Sequence, residues 1–456
     1  MRRHLITGRY GAGDRSRMPL GDGEAETRLD LLVGERSLGH GVGRALADLS
    51  RLGVFPSEVG LDVLVLAAHV HAADTRVSRD SESQDGWTRE LRLIVPVSDP
   101  DRWRAAAPIF VRLLNFLTGD QWSLGFRARP RRFARVAPTP PARLLGPAFD
   151  DLALFSGGLD SLIGAIDALE AGRTPLLVSH AGEGATSDAQ ATIFDALKAH
   201  YRGRAFDRLR LWMAFPDGFV QGSAGENTTR GRSFLFFALG VFAGTGMDGP
   251  FTLKVPENGL IAVNVPLDPL RLGALSTRTT HPFYIARWND ALDALAISGR
   301  IENPYWDRTK GEMAEECANP ALLRQLTPSS LSCASPTKGR WQGLSTQHCG
   351  YCLPCLIRRA ALLKGLRPYV DPTIYTVPDL AAQVLDTRQS EGVQVRSFQL
   401  AIDRLRARPT LAPILIHKPG PLFDESPQRQ AALADVYRRG LEEVGALLTG
   451  VRTRPR

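Results

Sequence analysis

Apolar and polar positions divide the chain into five stretches of different texture. Residues 1–26 are rich in glycine, arginine and aspartate without periodicity, which predicts a flexible tail. Residues 27–126 predict a small accessory N-terminal module, α/β or α+β. Within it, residues 29–33 read as a strand and residues 45–52 as a short helix. Ser57 can cap a helix running through Ala73. Leu61, Leu64, Val65 and Ala68 fit one helical face, while Leu61, Val63 and Val65 also alternate as in a strand. Residues 91–97 are strand-like, and Asp99 opens a helix ending near Thr118. Residues 127–148, RARPRRFARVAPTPPARLLGPA, predict a solvated Arg/Pro linker between domains. Strand-like and helix-like segments then alternate over residues 149–375, the pattern of a parallel α/β sheet. Residues 376–456 are mostly helical, with one helix over residues 427–448, and no internal repeat is present.

Length and composition fit this division. A chain of 456 residues and 49.8 kDa calls for two or three domains. Hydrophobic residues at 43% and charged residues at 23% suit a soluble protein with real cores. No run approaches the roughly 18 apolar residues of a membrane span, which excludes an integral membrane protein. The basic N-terminus is followed by no apolar stretch, so no secretory signal is expected and the expected compartment is the cytoplasm. Five cysteines in such a chain make no disulfide scaffold. The net charge of +8 is spread along the chain and is almost all arginine; Lys198, Lys254, Lys310, Lys338, Lys364 and Lys418 are the lysines. That distribution reads as a coding bias, so a nucleic-acid partner is not required. His69 and His71 have no nearby partner in sequence, and no metal is expected there. Neither residues 27–126 nor residues 376–456 carry recognisable chemistry.

The strongest chemical signal begins at Leu152. The apolar run LALF at 152–155 leads directly into Ser156-Gly157-Gly158-Leu159-Asp160-Ser161, and LIGAIDALEAG follows as a helix ending at Gly172. A strand, a glycine turn and a helix N-terminus together make an anion site. The glycines let the backbone approach, and the free N–H groups and dipole of the first helical turn favour negative charge. Ser156 and Ser161 add hydroxyls. Asp160 opposes bare phosphate, so it holds a metal ion or orients the loop. No lysine follows the glycines, unlike GxxxxGK[ST], so phosphoryl transfer of that kind is not indicated. The segment resembles the PP-loop of the ATP pyrophosphatase superfamily, whose members cleave ATP between the α and β phosphates. A second strand ends at Ser179-His180, beside the loop in a doubly wound sheet. His180 there either flanks the nucleotide or is structural.

Cys333, Cys349, Cys352 and Cys355 form the pattern C-x15-C-x2-C-x2-C. Thiolates at this spacing can wrap one tetrahedral ion in a closed, structural site, with zinc expected and an iron–sulfur cluster as the rival. Cys317 stands apart and reads as a buried apolar residue.

A PP-loop followed by such a cysteine group resembles QueC, the 7-cyano-7-deazaguanine synthase family. Arg230-Gly231-Arg232-Ser233-Phe234-Leu235 is similar to the family's arginine-bearing segment before an apolar helix. Thr309-Lys310-Gly311-Glu312-Met313 is similar to its lysine motif, and CGYCLPCLIRRAALLKG with Asp371-Pro372-Thr373 to its C-terminal signature. The resemblance covers residues 150–375, about half the chain. The family's Tyr-Pro-Asp-Cys-Arg stretch is missing; PENGLIAVNVPLDPLRLGALSTRTTHPFYIARW stands in its place. With the added N-terminal module and helical tail, the chain is most similar to the QueC-like component (QatC) of Qat anti-phage defence systems.

The resemblance implies an adenine-nucleotide alpha-hydrolase-like (Rossmann-like) α/β fold with a four-Cys zinc site, and ATP with Mg²⁺ as cofactors. It implies activation of a 7-deazaguanine carboxylate by ATP, giving an amide or nitrile, or a conjugate with a defence-system partner protein. Ser156, Gly157, Gly158, Asp160 and Ser161 would hold pyrophosphate and metal, with Ser179 and His180 beside the nucleotide. Asp160, Arg232 and Lys310 would be catalytic, and Arg230 a further cationic contact. Glu257, with Asn258 in a Pro-Glu-Asn-Gly turn, is the candidate acceptor for the base N–H groups, or else a turn chosen for its backbone. Thr277, Arg278, Thr280 and His281 fall in the substrate stretch. Competing classes are a PP-loop tRNA-modifying enzyme and a non-catalytic nucleotide-binding scaffold.

Overall fold

Residues RHLITGR, expected within a flexible tail, form a strand inside a sheet. The computed structural model describes residues 2–34, 37–141, 148–182, 184–228, 230–268, 277–368 and 370–455. β1 (Arg3–Arg9) and β2 (Glu24–Asp30) run parallel, followed by a short hairpin of β3 (Leu32–Val33) and β4 (Ser37–Leu38). Helices α1 (Val42–Arg51), α2 (Glu58–Arg76) and the single turn α3 (Arg79–Glu82) come next. β5 (Glu90–Val97), α4 (Pro100–Thr118) and β6 (Gln121–Ala128) complete an all-parallel sheet of order β2-β1-β5-β6, so the module is α/β. The tail expectation fails because β1 buries polar side chains beside Leu5 and Ile6. His4 meets Glu82 at 3.1 Å, and Arg9 donates to the Asp14 carbonyl at 2.8 Å. Partnered polar groups can be buried, but they erase the alternation by which a strand is read. Gly8 lets α2 approach this strand: a Cβ there would lie 2.4 Å from Nε2 of His69.

α2 resolves the helix-or-strand ambiguity. The Gly60 N–H donates to the capping Ser57 Oγ at 3.1 Å, and every residue from 60 to 74 is buried. The helix is packed against β1 and β5 on one side and against a helix of the second sheet on the other. A helix buried all round has no one-sided apolar stripe, so its sequence also reads as alternation. The expected linker is corrected at its start. Residues 127 and 128 belong to β6, Arg129 is buried in ion pairs with Glu58 and Asp62, and Phe133 is in the core. Those carboxylates stand 71 and 67 residues earlier, so the local Arg/Pro density did not reveal them. Residues 142–147 of the expected linker lie outside the described residues.

The second sheet is built from β7 (Asp151–Leu154), α5 (Leu159–Glu170), β8 (Pro175–Ala181), α6 (Gly184–His200) and β9 (Asp207–Trp212). α7 (Arg232–Gly244), β10 (Phe251–Lys254), α8 (Gly259–Val263), α9 (Pro282–Ala294) and β11 (Gly299–Glu302) follow. All five strands are parallel, in the order β11-β10-β7-β8-β9. The chain moves outward from β7 to β9 and then crosses over to β10, so β7 and β10 flank a topological switch point. The two sheets share one apolar core. Phe110 of α4 lies edge-on to Trp288 of α9 at 6.0 Å and to Phe234 of α7 at 6.2 Å.

The remainder comprises α10 (Lys310–Glu315), α11 (Pro320–Leu326), α12 (Leu353–Gly365), β12 (Leu385–Asp386), α13 (Ser390–Ala407), α14 (Ala412–Leu415), α15 (Pro427–Leu447) and β13 (Thr453–Arg454). α15 matches its expected span to within a residue. Its Leu433, Tyr437, Leu441 and Val444 join α8 and α12 in a second core. Among the described residues, no helix is long and apolar enough to cross a membrane.

Candidate functional site

SGGLDS turns the chain from the carboxyl end of β7, the middle strand, into α5. Gly157 has φ +80°, and a Cβ on it would fall 3.0 Å from both N and Cγ of Gln190 on α6, so only glycine fits. The Ser156 hydroxyl accepts from Gly158 N–H at 3.3 Å and meets the Ser161 hydroxyl at 3.2 Å. Gly158 is the N-cap of α5 and supplies no side-chain cap, which leaves the first turn open to an anion. The loop is also fastened from a distant segment. Leu331 N–H donates to the Gly157 carbonyl at 2.9 Å, and Leu159 N–H donates to Ser332 Oγ at 3.3 Å.

Asp160 and Lys310, 150 positions apart, meet at 3.1 Å and are both buried. Thr309 caps α10 with a complete capping box, which aims Lys310 inward from the first helical position. Glu443 of α15 braces the same turn by accepting from Gly311 N–H at 3.2 Å and from Lys364 at 2.8 Å. The C-terminal helices therefore support the site although they carry no reacting group. Asn258 Nδ2 donates to Asp160 at 2.8 Å and to Glu257 at 3.2 Å, tying two carboxyl groups together. Burial alone would raise the Asp160 carboxyl, but Lys310 and the Asn258 donors hold it below its usual value. Burial, reinforced by the charge on Asp160, pushes Glu257 well above its own. The pair thus favours one negative charge and one proton.

These groups line a two-lobed crevice at the switch point. The larger lobe, about 570 Å³, is bounded by Gly158, Asp160, Asn264, Lys310 and Ser332. The smaller, about 430 Å³, is bounded by Ser161, Arg232, Phe236, Arg278 and Leu117. Ser156, Arg230, Glu257 and Thr277 line both. Arg232 opens α7, and its guanidinium lies against Gly182, where a Cβ would come within 2.6 Å of it. Thr277 is held by Asn264 Nδ2, which donates to its carbonyl at 2.6 Å.

Four sequence candidates do not themselves bound the crevice. Ser179 is buried and donates to the Phe155 carbonyl at 2.7 Å, joining strand ends. His180 is enclosed between His71 and Phe236, each ring 5.6 Å away, and burial lowers its pKa to about 3. His281 caps α9 by accepting from Phe283 N–H at 3.2 Å and packs on Phe116. Asn258 spends its Oδ1 on the α8 cap and its Nδ2 on the two carboxyl groups. Among the described residues bounding the crevice, none of these four appears. Each is a polar group satisfied or enclosed by its own structural neighbourhood. Sequence reasoning missed Asn264, Ser332 and Leu117. The position of Ser332 next to Cys333 was the one available clue.

The four thiols of Cys333, Cys349, Cys352 and Cys355 lie within 4.8 Å of one another, with Cys333–Cys352 and Cys349–Cys355 each at 3.9 Å. A tetrahedral ion with metal–sulfur bonds of about 2.3 Å separates its sulfurs by about 3.8 Å, so the four residues fit one ion such as zinc. Cys317 is buried against α5, and burial raises its thiol to about 12. It is no reactive nucleophile. No family model matches the chain, and no curated protein matches it. Fold and site together define an α/β protein of two parallel sheets, with a glycine-turn crevice and a four-cysteine cluster able to hold a metal ion.

Proposed function

We propose that this chain is a PP-loop enzyme, similar to QueC and most similar to the QueC-like component (QatC) of Qat defence systems, that uses ATP to activate a 7-deazaguanine carboxylate. The observation that carries the reading is the SGGLDS loop at the end of the middle parallel strand, with Lys310 3.1 Å from its Asp160 beside a crevice of ligand size. A carboxylate oxygen of the acid attacks the α-phosphorus of ATP. The α–β anhydride bond breaks, pyrophosphate leaves with its electron pair, and an acyl-adenylate remains. An amine nitrogen then attacks the acyl carbon, AMP departs, and the amine loses a proton. Ammonia gives the amide, and a second activation that removes water gives the nitrile; a lysine of a partner protein would give a conjugate.

The open first turn of α5, with Ser156 and Ser161, would take pyrophosphate, and Lys310 and Arg232 would offset charge developing on the leaving group. Asp160 and Glu257 are the carboxyl groups that would hold Mg²⁺, whose charge screens the phosphates when bound. Zinc at the four cysteines would be structural, and the setting cytoplasmic. A buried Cys317 speaks against a sulfur-carrying tRNA thiolase. The test is AMP and pyrophosphate release from Mg-ATP by the purified chain, with and without 7-carboxy-7-deazaguanine. Release that depends on the acid is expected; no release with either ammonia or partner proteins present would overturn the reading.

A further inference from the structure

Arg278 is a cation without an anion. Its guanidinium is largely buried, and among the described residues no carboxylate pairs with it. One N–H donates to the Phe116 carbonyl at 2.6 Å, the Phe116 ring lies 4.4 Å from the guanidinium carbon, and the buried Nε has no partner. Desolvation lowers its pKa to about 10, in the direction that the cost of an uncompensated buried charge dictates. Buried Arg89 and Arg129 instead each pair with two carboxylates, which offset part of that cost. Here it is borne at the wall of the smaller lobe, where Arg232 and the start of α7 also favour negative charge. Among the described residues, Glu257 is the single carboxyl bounding that lobe, and it already accepts from Asn258 Nδ2 at 3.2 Å.

The rest of the lobe mixes serine and threonine hydroxyls with apolar side chains. Phe236, Leu154 and Val255 come from the second sheet, and Leu117 from α4 of the N-terminal one. About 430 Å³ suits a small molecule rather than a polymer. We propose that the smaller lobe is a carboxylate subsite for a small heteroaromatic acid. Arg278 and Arg232 take the acid group, and Phe116 on the N-terminal module holds Arg278 in place. The proposal rests on the acid-activating reading of the crevice, and through Phe116 and Leu117 the N-terminal module completes the acid subsite.

Calorimetric titration of the full chain separates the two ideas. The probes are 7-carboxy-7-deazaguanine, nicotinate and quinaldate, each with its neutral amide or nitrile counterpart, and Mg-ATP. At least one acid should bind, about tenfold or more tighter than its neutral counterpart, and Arg278→Met should weaken that acid about tenfold or more while Mg-ATP stays within about twofold. Acid binding that depends on Arg278, without AMP formation from any acid, would sink the adenylation reading and leave the subsite standing. Equal binding of acid and neutral counterpart to the unaltered protein overturns the subsite, and this arm needs no variant to fold. Binding of no acid at millimolar concentration, or unchanged acid affinity in Arg278→Met, overturns it as well.

Discussion

Asp120, at the turn into β6 of the N-terminal module, and Asp160, in α5 beside the second sheet, are both buried beside cations but are coordinated differently. Asp120 receives both Arg89 and Arg79: Arg89 donates at 3.0 and 2.7 Å, and Arg79 at 2.8 and 2.9 Å. Arg89 also pairs with Asp74 at 3.3 Å, and Asp74 accepts from Gly231 N–H at 2.7 Å. Every charge in this group is answered by protein. Asp160 meets one ammonium and the backbone and side-chain N–H groups of Asn258, both at Oδ2; its Oδ1 lacks a well-directed hydrogen bond, and it borders a cavity. A saturated carboxylate fixes geometry; one left under-coordinated at a cavity wall keeps capacity for a ligand.

The contrast can be broken by substitution. Arg89→Met should cost about 3–5 kcal/mol, because it removes the cation shared by two buried carboxylates, and a urea unfolding midpoint will read it. An unchanged midpoint would remove the structural role assigned to the network. Lys310→Met should lower acid-dependent AMP formation about a hundredfold, equivalent to about 2.7 kcal/mol, with a smaller midpoint shift than Arg89→Met. Turnover that survives while the fold fails would reverse the assignment of the two regions.

Acid sharpens the comparison further. Burial lowers His69 and His71 to about 4 and His180 and His281 to about 3, below the ordinary value of 6.5. The unfolded chain then binds protons that the folded one refuses. Stability is full above pH 6.5 and falls as pH drops from there toward 4, by about 1.4 kcal/mol per pH unit for each histidine. Urea midpoints at pH 7 and pH 5 measure the slope, and His281→Gln should flatten it. The smallest effect belongs to Ser57→Ala, about 1 kcal/mol for the lost cap of α2, read from the same midpoint.

The parts of the site that lie contiguous in sequence were legible there: the strand, the glycine turn and α5, the cysteine spacing, the capped Lys310 helix. Contiguity fails for the rest. β1 was hidden by buried His4, Thr7 and Arg9; His4 meets Glu82 of a distant helical turn and Arg9 the Asp14 carbonyl in a loop. The contact of Arg278 with Phe116 spans 162 positions, so nothing local marks it. Ser179, His180 and His281 are residue types suited to chemistry, yet folding spends them on joining strand ends, filling an aromatic cage and capping a helix. Residue type limits what a position can do, whereas the direction of its hydrogen bonds decides what it does do.

Ser332 links two centres that would otherwise be independent. It holds the Leu159 N–H of the glycine turn, and the next residue, Cys333, belongs to the sulfur cluster. A metal bound at the cluster would be coupled to the turn through this contact, and thermodynamic reciprocity would follow. By whatever factor a metal raised affinity for a ligand at the turn, that ligand would raise affinity for the metal. Were ATP bound as proposed, a chelator would weaken it without ever entering the crevice.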